Sequence, residues 1–374
     1  MASAALGFGV ATLQATARGQ QQPDAPSAIQ GNDKQKVGWA IAGIGNFAKG
    51  PVLHNIGKCQ HTAVRGFVTR DPEGKGQKFA KEYNVDPAAV VRLEDMQKLA
   101  DRKDIEVVYV ITPNALHKEY CLAAIKAGKH VFCEKPFAPT EADCQEIIDA
   151  AKSAGKLIGL GYRMRFDATN IAAIDLLKKK ELGRLKFITG EFGFNVNTNT
   201  PAGKWRCERE LSGGGSLVDI GVYGVNAARF LTGEEPVEIT GQTFSTPGDP
   251  RFDTVEETAM FTFKFPSGVL FQATSSYGIT GMNRLRAVGD GGWLDMEPAI
   301  AYEGAKMRLK TKGEPQEIPV EATNQFALEM DDFSQAVREN RPARSTGETG
   351  LLDVRYMEAI YKSAKDGGRV VKVG

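Results

Sequence analysis

The chain has 374 residues, 42% apolar and 25% charged, with 47 basic against 46 acidic side chains. That length is more than one comfortable core and calls for two domains; a net charge of +1 offers no basic surface for nucleic acid, and no apolar run reaches the length of a membrane span. Five cysteines (Cys59, Cys121, Cys133, Cys144 and Cys207) without a C-x-x-C pair, and four histidines without ligand spacing, give no disulfide framework and no metal site.

Residues 1–36 stand apart. Ala2 to Thr16 is small and apolar, and Gln20 to Lys36 is polar, with Pro23, Pro26 and Gly31. The head resembles an export signal that has lost its charged start, with Ala15-Thr16-Ala17 suited to cleavage, which implies the periplasm. Without such a signal it is a loose terminus of a cytoplasmic protein, or an arm that packs on another subunit.

Residues 37–162 alternate strand and helix. Val37 to Ala42 is an apolar run that ends in Gly43-Ile44-Gly45-Asn46-Phe47-Ala48, the G-x-G-x-x-G/A form of a dinucleotide-binding loop. Gly43 permits the sharp turn, Gly45 lets a pyrophosphate approach the backbone, and Ala48 lets the helix sit close to the strand. Further strands are expected at Val64–Thr69, Ala89–Val91, Glu106–Ile111, His130–Cys133 and Leu157–Leu160. Helices are expected from Lys75 to Tyr83, Leu93 to Ala100, Leu116 to Ala127, and from a Thr140 cap to Gly155. The fold class is therefore α/β, a doubly wound parallel sheet, followed by a second domain of α+β type.

In that second domain, residues 163–374, a helix from Ala168 to Lys180 leads into strands. These are Lys186 to Phe194, a hairpin of Thr258–Phe265 and Val269–Ser276, and short strands from Trp293 to Val320. Helices from Gln325 to Glu339 and Gly347 to Asp366 close the chain. A mainly antiparallel sheet with helices on one face leaves the other face free for a homodimer, or a tetramer.

Three clusters carry chemistry. After the second strand, Thr69, Arg70 and Lys75 offer a guanidinium and an ammonium to a 2′-phosphate, which favours NADP over NAD; Asp71, a carboxylate suited to the ribose of NAD, stands against this. After the fifth strand come Glu134 and Lys135, at the edge where this fold binds ligands. The alternative for them is an exposed ion pair of little consequence. The third is Gly213-Gly214-Gly215-Ser216, leading to Asp219 and Tyr223 four residues apart on a helix that Ser216 caps. Ser216 with Asp219 also fits a capping box, and Tyr223 a packed aromatic.

Together, Ala42 to Ala48, Glu134-Lys135-Pro136 and Asp219-Ile220-Gly221-Val222-Tyr223, in this order and spacing, resemble the family of glucose–fructose oxidoreductase, inositol dehydrogenase and related sugar dehydrogenases. Gly161-Tyr162-Arg163, Lys204-Trp205-Arg206 and a tyrosine at 223, where many members have histidine, are similar to the branch that contains the aldose–aldose oxidoreductases. The resemblance implies aldose substrates and a tightly bound, non-dissociating NADP that one sugar reduces and a second reoxidises, giving an aldonolactone and an alditol. It implies Tyr223, Lys135 and Asp219 as catalytic residues, with Tyr223 exchanging the proton and the Lys135 ammonium stabilising its negative charge. Around the cofactor it places Gly43, Ile44, Gly45, Asn46, Phe47, Thr69, Arg70, Lys75, Thr112, Asn114, His117, Glu134, Lys135, Arg163, Trp205, Arg206 and Tyr302. The competing expectations are a sugar or inositol dehydrogenase with exchangeable NAD(P), and a non-catalytic sugar sensor on the same fold.

Overall fold

Every residue of Val37–Ala42 (β1) is buried, and this strand seeds the first sheet. The computed structural model describes residues 35–374, so the arm expected over residues 1–36 and its export-signal head fall, except for the last two residues, outside the described residues. Beside β1 lie Thr62–Val68 (β2), Val90–Val91 (β3), Val107–Val110 (β4), His130–Glu134 (β5) and Ile158–Gly161 (β6). All pairings are parallel, in the order β3-β2-β1-β4-β5-β6. Continuous apolar burial, rather than alternation, is what a sheet covered on both faces demands. The strand order reverses between β1 and β4, which opens a crevice at their carboxyl ends.

The crossovers carry Leu53–Ile56 (α1), Gln77–Glu82 (α2), His117–Lys126 (α3) and Glu141–Ser153 (α4). Thr140 caps α4 as expected, its hydroxyl accepting from the Asp143 amide at 3.1 Å. The helix expected over Leu93–Ala100 is instead a tighter 3₁₀ segment, Met96–Asp101, whose leading Asp95 makes no capping bond. Without a capping bond at Asp95, the short segment winds as the tighter helix.

The second sheet has nine strands in the order β14-β13-β12-β11-β7-β10-β9-β8-β15. They are Leu185–Asn195 (β7), Glu238–Phe244 (β8), Thr258–Lys264 (β9), Leu270–Ser276 (β10), Gly278–Gly289 (β11), Trp293–Met296 (β12), Met307–Lys310 (β13), Gln316–Ile318 (β14) and Val371–Lys372 (β15). Only β7 with β10 runs parallel. Ala259, Phe261 and Phe263 of β9 are buried between exposed or half-buried neighbours, so one face meets helices and the other is left free by the described residues. The free face exposes Phe187, Met260 and Leu270.

Between and after these strands come Ala168–Lys178 (α5), Pro201–Arg206 (α6), Arg209–Ser212 (α7), Val222–Thr232 (α8), Gln325–Glu339 (α9) and Gly347–Lys365 (α10). Although late in the chain, α9 packs on the first sheet. Phe333 lies 5.2 Å from the ring of Phe132, and the Trp39 indole N–H donates to the Ser334 hydroxyl at 3.0 Å. Strands β8, β11 and β15 and helices α6 and α7 were not anticipated. The five cysteines are free; among the described residues no His/Cys/Asp/Glu group could hold a metal, and no helix is long and apolar enough to cross a membrane.

Candidate active site

The loop after β1 uses its two glycines for different reasons. Gly43 has φ of +96°, and a side chain there would put its Cβ 2.5 Å from the Ile111 carbonyl oxygen. Its amide donates to the Val68 carbonyl at 3.0 Å, fixing the turn between β1 and β2. At Gly45 an added Cβ would meet no heavy atom within 4 Å. The space over it is open, as close approach by a phosphate requires. Gly43→Ala should therefore cost about 1–3 kcal/mol of stability through strain, read as a lower melting temperature. Gly45→Ala should leave the melting temperature of nucleotide-free protein unchanged and weaken dinucleotide binding alone, as calorimetric titration would show.

At the end of β2 the carboxylate of Asp71 accepts from the amides of Gly74 (3.0 Å) and Lys75 (2.8 Å), which holds it below the ordinary carboxylate range. It is the N-cap of the turn Pro72–Gly76 and not a free ribose ligand. Lys75 donates from its ammonium to the Ile44 carbonyl, closing the turn against the glycine loop. Thr69 is buried and Arg70 exposed. The Arg70 carbonyl accepts from Arg92 at 2.7 Å. Arg92 thus adds a second guanidinium to this rim, which sequence reading missed because it lies on the far side of a crossover.

On the crevice floor the Thr112 hydroxyl oxygen is buried and has no partner among the described residues, an orphan that a bound ligand's polar group would satisfy. Two residues expected at the cofactor are engaged within the protein here. The His117 ring is fully buried, its nitrogens 2.9 Å from the Pro136 carbonyl and 3.0 Å from that of Thr112. Burial pulls its proton affinity below the ordinary histidine value although both carbonyls favour the charged ring. It clasps the loop after β4 to the loop after β5 and has no atom left for a ligand. Asn114 likewise spends its amide on the Ser212 carbonyl, at 2.9 Å, joining the two domains.

Beyond β5 the side chains of Glu134 and Lys135 part company. The Tyr109 hydroxyl donates to Glu134 at 2.6 Å, and burial raises the proton affinity of that carboxyl. Lys135 turns the other way and is no exposed partner of Glu134. Its ammonium donates to the Asp219 backbone carbonyl, lies 3.4 Å from the Asp219 carboxylate, and sits 4.6 Å from the centroid of the Tyr223 ring. Burial works against its charge, but the Tyr223 oxygen, Asp219 and Glu134 outweigh it and raise the lysine above its ordinary value. Asp219 also accepts from Arg206 Nε at 2.8 Å and the Tyr277 hydroxyl at 2.9 Å. Against its burial, Arg206 and Lys135 hold the carboxyl well below the usual range. It stays ionised and accepts no proton near neutrality.

Arg163, placed by expectation at the cofactor, is 3% exposed and held by the carbonyls of Ile300 (2.7 Å) and Ala301 (3.2 Å) and by Gln325 (2.7 Å). Its guanidinium faces the rings of Tyr302 at 4.6 Å and Tyr223 at 5.1 Å. Tyr302 in turn meets Phe326 at 5.0 Å and Phe47, on the glycine loop, at 6.5 Å. The structure thus gathers Lys135, Asp219, Tyr223, Arg163, Arg206 and Tyr302 at one end of the crevice, with Trp205 stacked on Arg206 at 4.9 Å. Tyr277 was missed; it lies 58 residues from Asp219 in sequence.

The segment bearing Asp219 and Tyr223 is not capped by Ser216. That residue is helical itself, and its hydroxyl donates to the Ser275 carbonyl at 3.1 Å. No capping box forms. A widened π turn, Leu217–Gly221, leads into α8, and the Glu256 carboxylate holds the first amides.

Residues 37–162 match the oxidoreductase family with an NAD-binding Rossmann fold, and residues 171–295 match the GFO/IDH/MocA C-terminal domain. Among solved structures, an aldose-aldose oxidoreductase from Caulobacter crescentus, complexed with glycerol, is 38% identical with a TM-score of 0.86, covering 90% of this chain and 100% of that one. A D-xylose 1-dehydrogenase [NADP(+)] from Haloarcula marismortui is 25% identical over 331 residues, 88% of this chain and 91% of the relative. A 1,5-anhydro-D-fructose reductase from Ensifer adhaerens is 28% identical over 335 residues, 88% of this chain and 96% of the relative.

Proposed function

The chain belongs to the GFO/IDH/MocA oxidoreductase family, and from that premise we propose that it is an aldose–aldose oxidoreductase whose NADP stays bound between turnovers. One cyclic aldose is oxidised at C1 to the aldonolactone, and a second is reduced to the alditol. When bound, the nicotinamide supplies the hydride acceptor of the first half-reaction and the donor of the second. The open backbone at Gly45, the orphaned hydroxyl of Thr112 and the cations Arg70, Lys75 and Arg92 at the β2 rim fit a dinucleotide with a 2′-phosphate. With Asp71 engaged as a cap, the carboxylate that argued for NAD is removed.

The observation that carries the reading is the division of labour around Lys135. Asp219 is held ionised with both oxygens engaged, and Lys135 is held charged. Neither exchanges a proton near neutrality. Tyr223 remains: among the described residues none hydrogen-bonds its hydroxyl, and two cations face its ring. It takes the C1 hydroxyl proton of the first sugar and returns it to the second, so the site is reset without exchanging a proton with bulk water. Lys135 stabilises the intervening negative charge, and Asp219 fixes Lys135. The 38% identical aldose-aldose oxidoreductase supports the choice of an aldose–aldose reaction.

The test is an absorbance spectrum of the purified protein without added cofactor. A nucleotide band should survive gel filtration, glucose or xylose should convert one equivalent to the reduced form, and a second sugar should restore it. Loss of nucleotide on the column, with turnover only when NADP is supplied, would make the protein an ordinary sugar dehydrogenase. No response to any aldose would leave a sensor. The free sheet face bearing Phe187, Met260 and Leu270 is where a homodimer would form, and the N-terminal head would send it to the periplasm.

A further inference from the structure

The triglycine Gly213-Gly214-Gly215 is spaced for something outside its own segment. Gly213 has φ of +79° and ends α7 in the left-handed region. At Gly214 an added Cβ would lie 2.3 Å from the hydroxyl of Tyr361, and at Gly215 1.9 Å from the Glu256 carbonyl oxygen. The last two glycines are thus required by close approach of other parts of the chain. What approaches is Glu256, 8% exposed, just ahead of β9. One carboxylate oxygen accepts from the Gly215 amide at 2.9 Å. The other accepts from the Leu217 amide and from the Tyr361 hydroxyl, both also at 2.9 Å.

The Leu217 amide is the first donor of the π turn that carries Asp219, and the Gly215 amide lies just ahead of it; the start of a helical segment leaves such donors without internal partners. Ser216, the local candidate, is turned away to Ser275. A carboxylate brought in from 39 and 41 residues away does what an N-cap residue does, with negative charge at the positive end of the segment. The turn it secures sets the height of the Asp219 backbone carbonyl, and that carbonyl is the acceptor that directs the Lys135 ammonium toward the Tyr223 ring.

We propose that Glu256 is a positioning residue of the active site: a long-range cap, steadied by Tyr361, that sets the register of Asp219 and through it the placement of Lys135 on Tyr223. This rests on the reading of Lys135 and Tyr223 as the reacting groups. It requires that loss of the cap damage the chemical step rather than sugar or nucleotide binding.

Glu256→Gln keeps the shape and leaves one oxygen for two amides, while its NH₂ faces a backbone donor. With NADP-loaded enzyme, kcat per bound nucleotide should fall by about 10- to 100-fold with KM within about twofold of wild type. Tyr361→Phe removes only the third bond and should give a smaller fall in kcat, again with KM held. Glu256→Gln retaining at least half of the wild-type kcat, or losing activity wholly through KM or through lost nucleotide, would overturn the proposal. If Glu256→Gln does not fold, an unchanged kcat in Tyr361→Phe overturns it. A wild-type enzyme inert toward every aldose would instead refute the underlying reading.

Discussion

Tyr223→Phe is expected to lower kcat by about 10³-fold while the protein keeps its bound nucleotide and its melting temperature. The ring is what packs: Lys135 and Arg163 face it at 4.6 and 5.1 Å, and phenylalanine offers the same face. The hydroxyl has no hydrogen bond among the described residues, so deleting it leaves no buried partner unpaired. The variant therefore separates the proton carrier from the scaffold. No neighbour substitutes. Asp219 accepts from Arg206 and Tyr277 and is held far below the usual carboxylate range. The His117 ring is sealed between two carbonyls. Stopped-flow reduction of bound NADP by glucose reads the first half-reaction alone, and reoxidation by a second sugar reads the other. Both should slow together under the proposed function, in which one hydroxyl serves both directions. A slowed reduction with a normal reoxidation would mean that the second sugar takes its proton from elsewhere.

How much of this was legible from the residues depends on the reach of each interaction. The β1 strand and its glycine loop are local signals: an unbroken buried run, then residues whose missing side chains decide the geometry. So are the parallel strands that follow, and the family is legible from three short motifs in order. The second sheet was half read. Strand β11 carries Gly278, Gly281 and Asn283, which weaken any strand pattern, yet its long antiparallel pairing with β7 holds it. Strand β8 contains Gly241, where an added Cβ would sit 2.6 Å from Ile360; the glycine that hides the strand is what lets α10 lie on it.

At the site the gathering of Lys135, Asp219 and Tyr223 was legible, and much of the wiring was not. Arg206 pairs with Asp219 across 13 residues, Tyr277 reaches it across 58, and Arg163 reaches Gln325 across 162. Ser216 shows the converse, since a good local cap was overridden by a carboxylate from the loop ahead of β9. Local chemistry nominates the groups able to react; tertiary contacts decide which of them is left free to do so.

That distinction sets the second expected result. Lys135→Met keeps most of the stem volume and removes the ammonium. It should reduce kcat by about 10²- to 10³-fold, since the positive charge at the Tyr223 ring acts where negative charge develops. Removing one partner of a buried ion pair usually costs about 3–5 kcal/mol. Here Asp219 keeps Arg206 at 2.8 Å and the Tyr277 hydroxyl at 2.9 Å, so the cost in melting temperature should fall below that range. The pH dependence distinguishes charge from shape. The folded lysine is raised above its ordinary value, so its contribution is complete below the unfolded value and is lost only as pH climbs through the folded one. An alkaline fall in wild-type activity that begins below the lysine range must then belong to another group, and should persist in Lys135→Met on a lower base. Lys135→Arg keeps the charge but brings a flat fork into a space shaped for a point donor between the Asp219 carbonyl and the Tyr223 ring, so it should recover only a small part of the loss. Full recovery in Lys135→Arg would show that field alone matters. Wild-type turnover in Lys135→Met would show that the Tyr223 hydroxyl exchanges its proton without help, and the division of labour drawn here would be wrong.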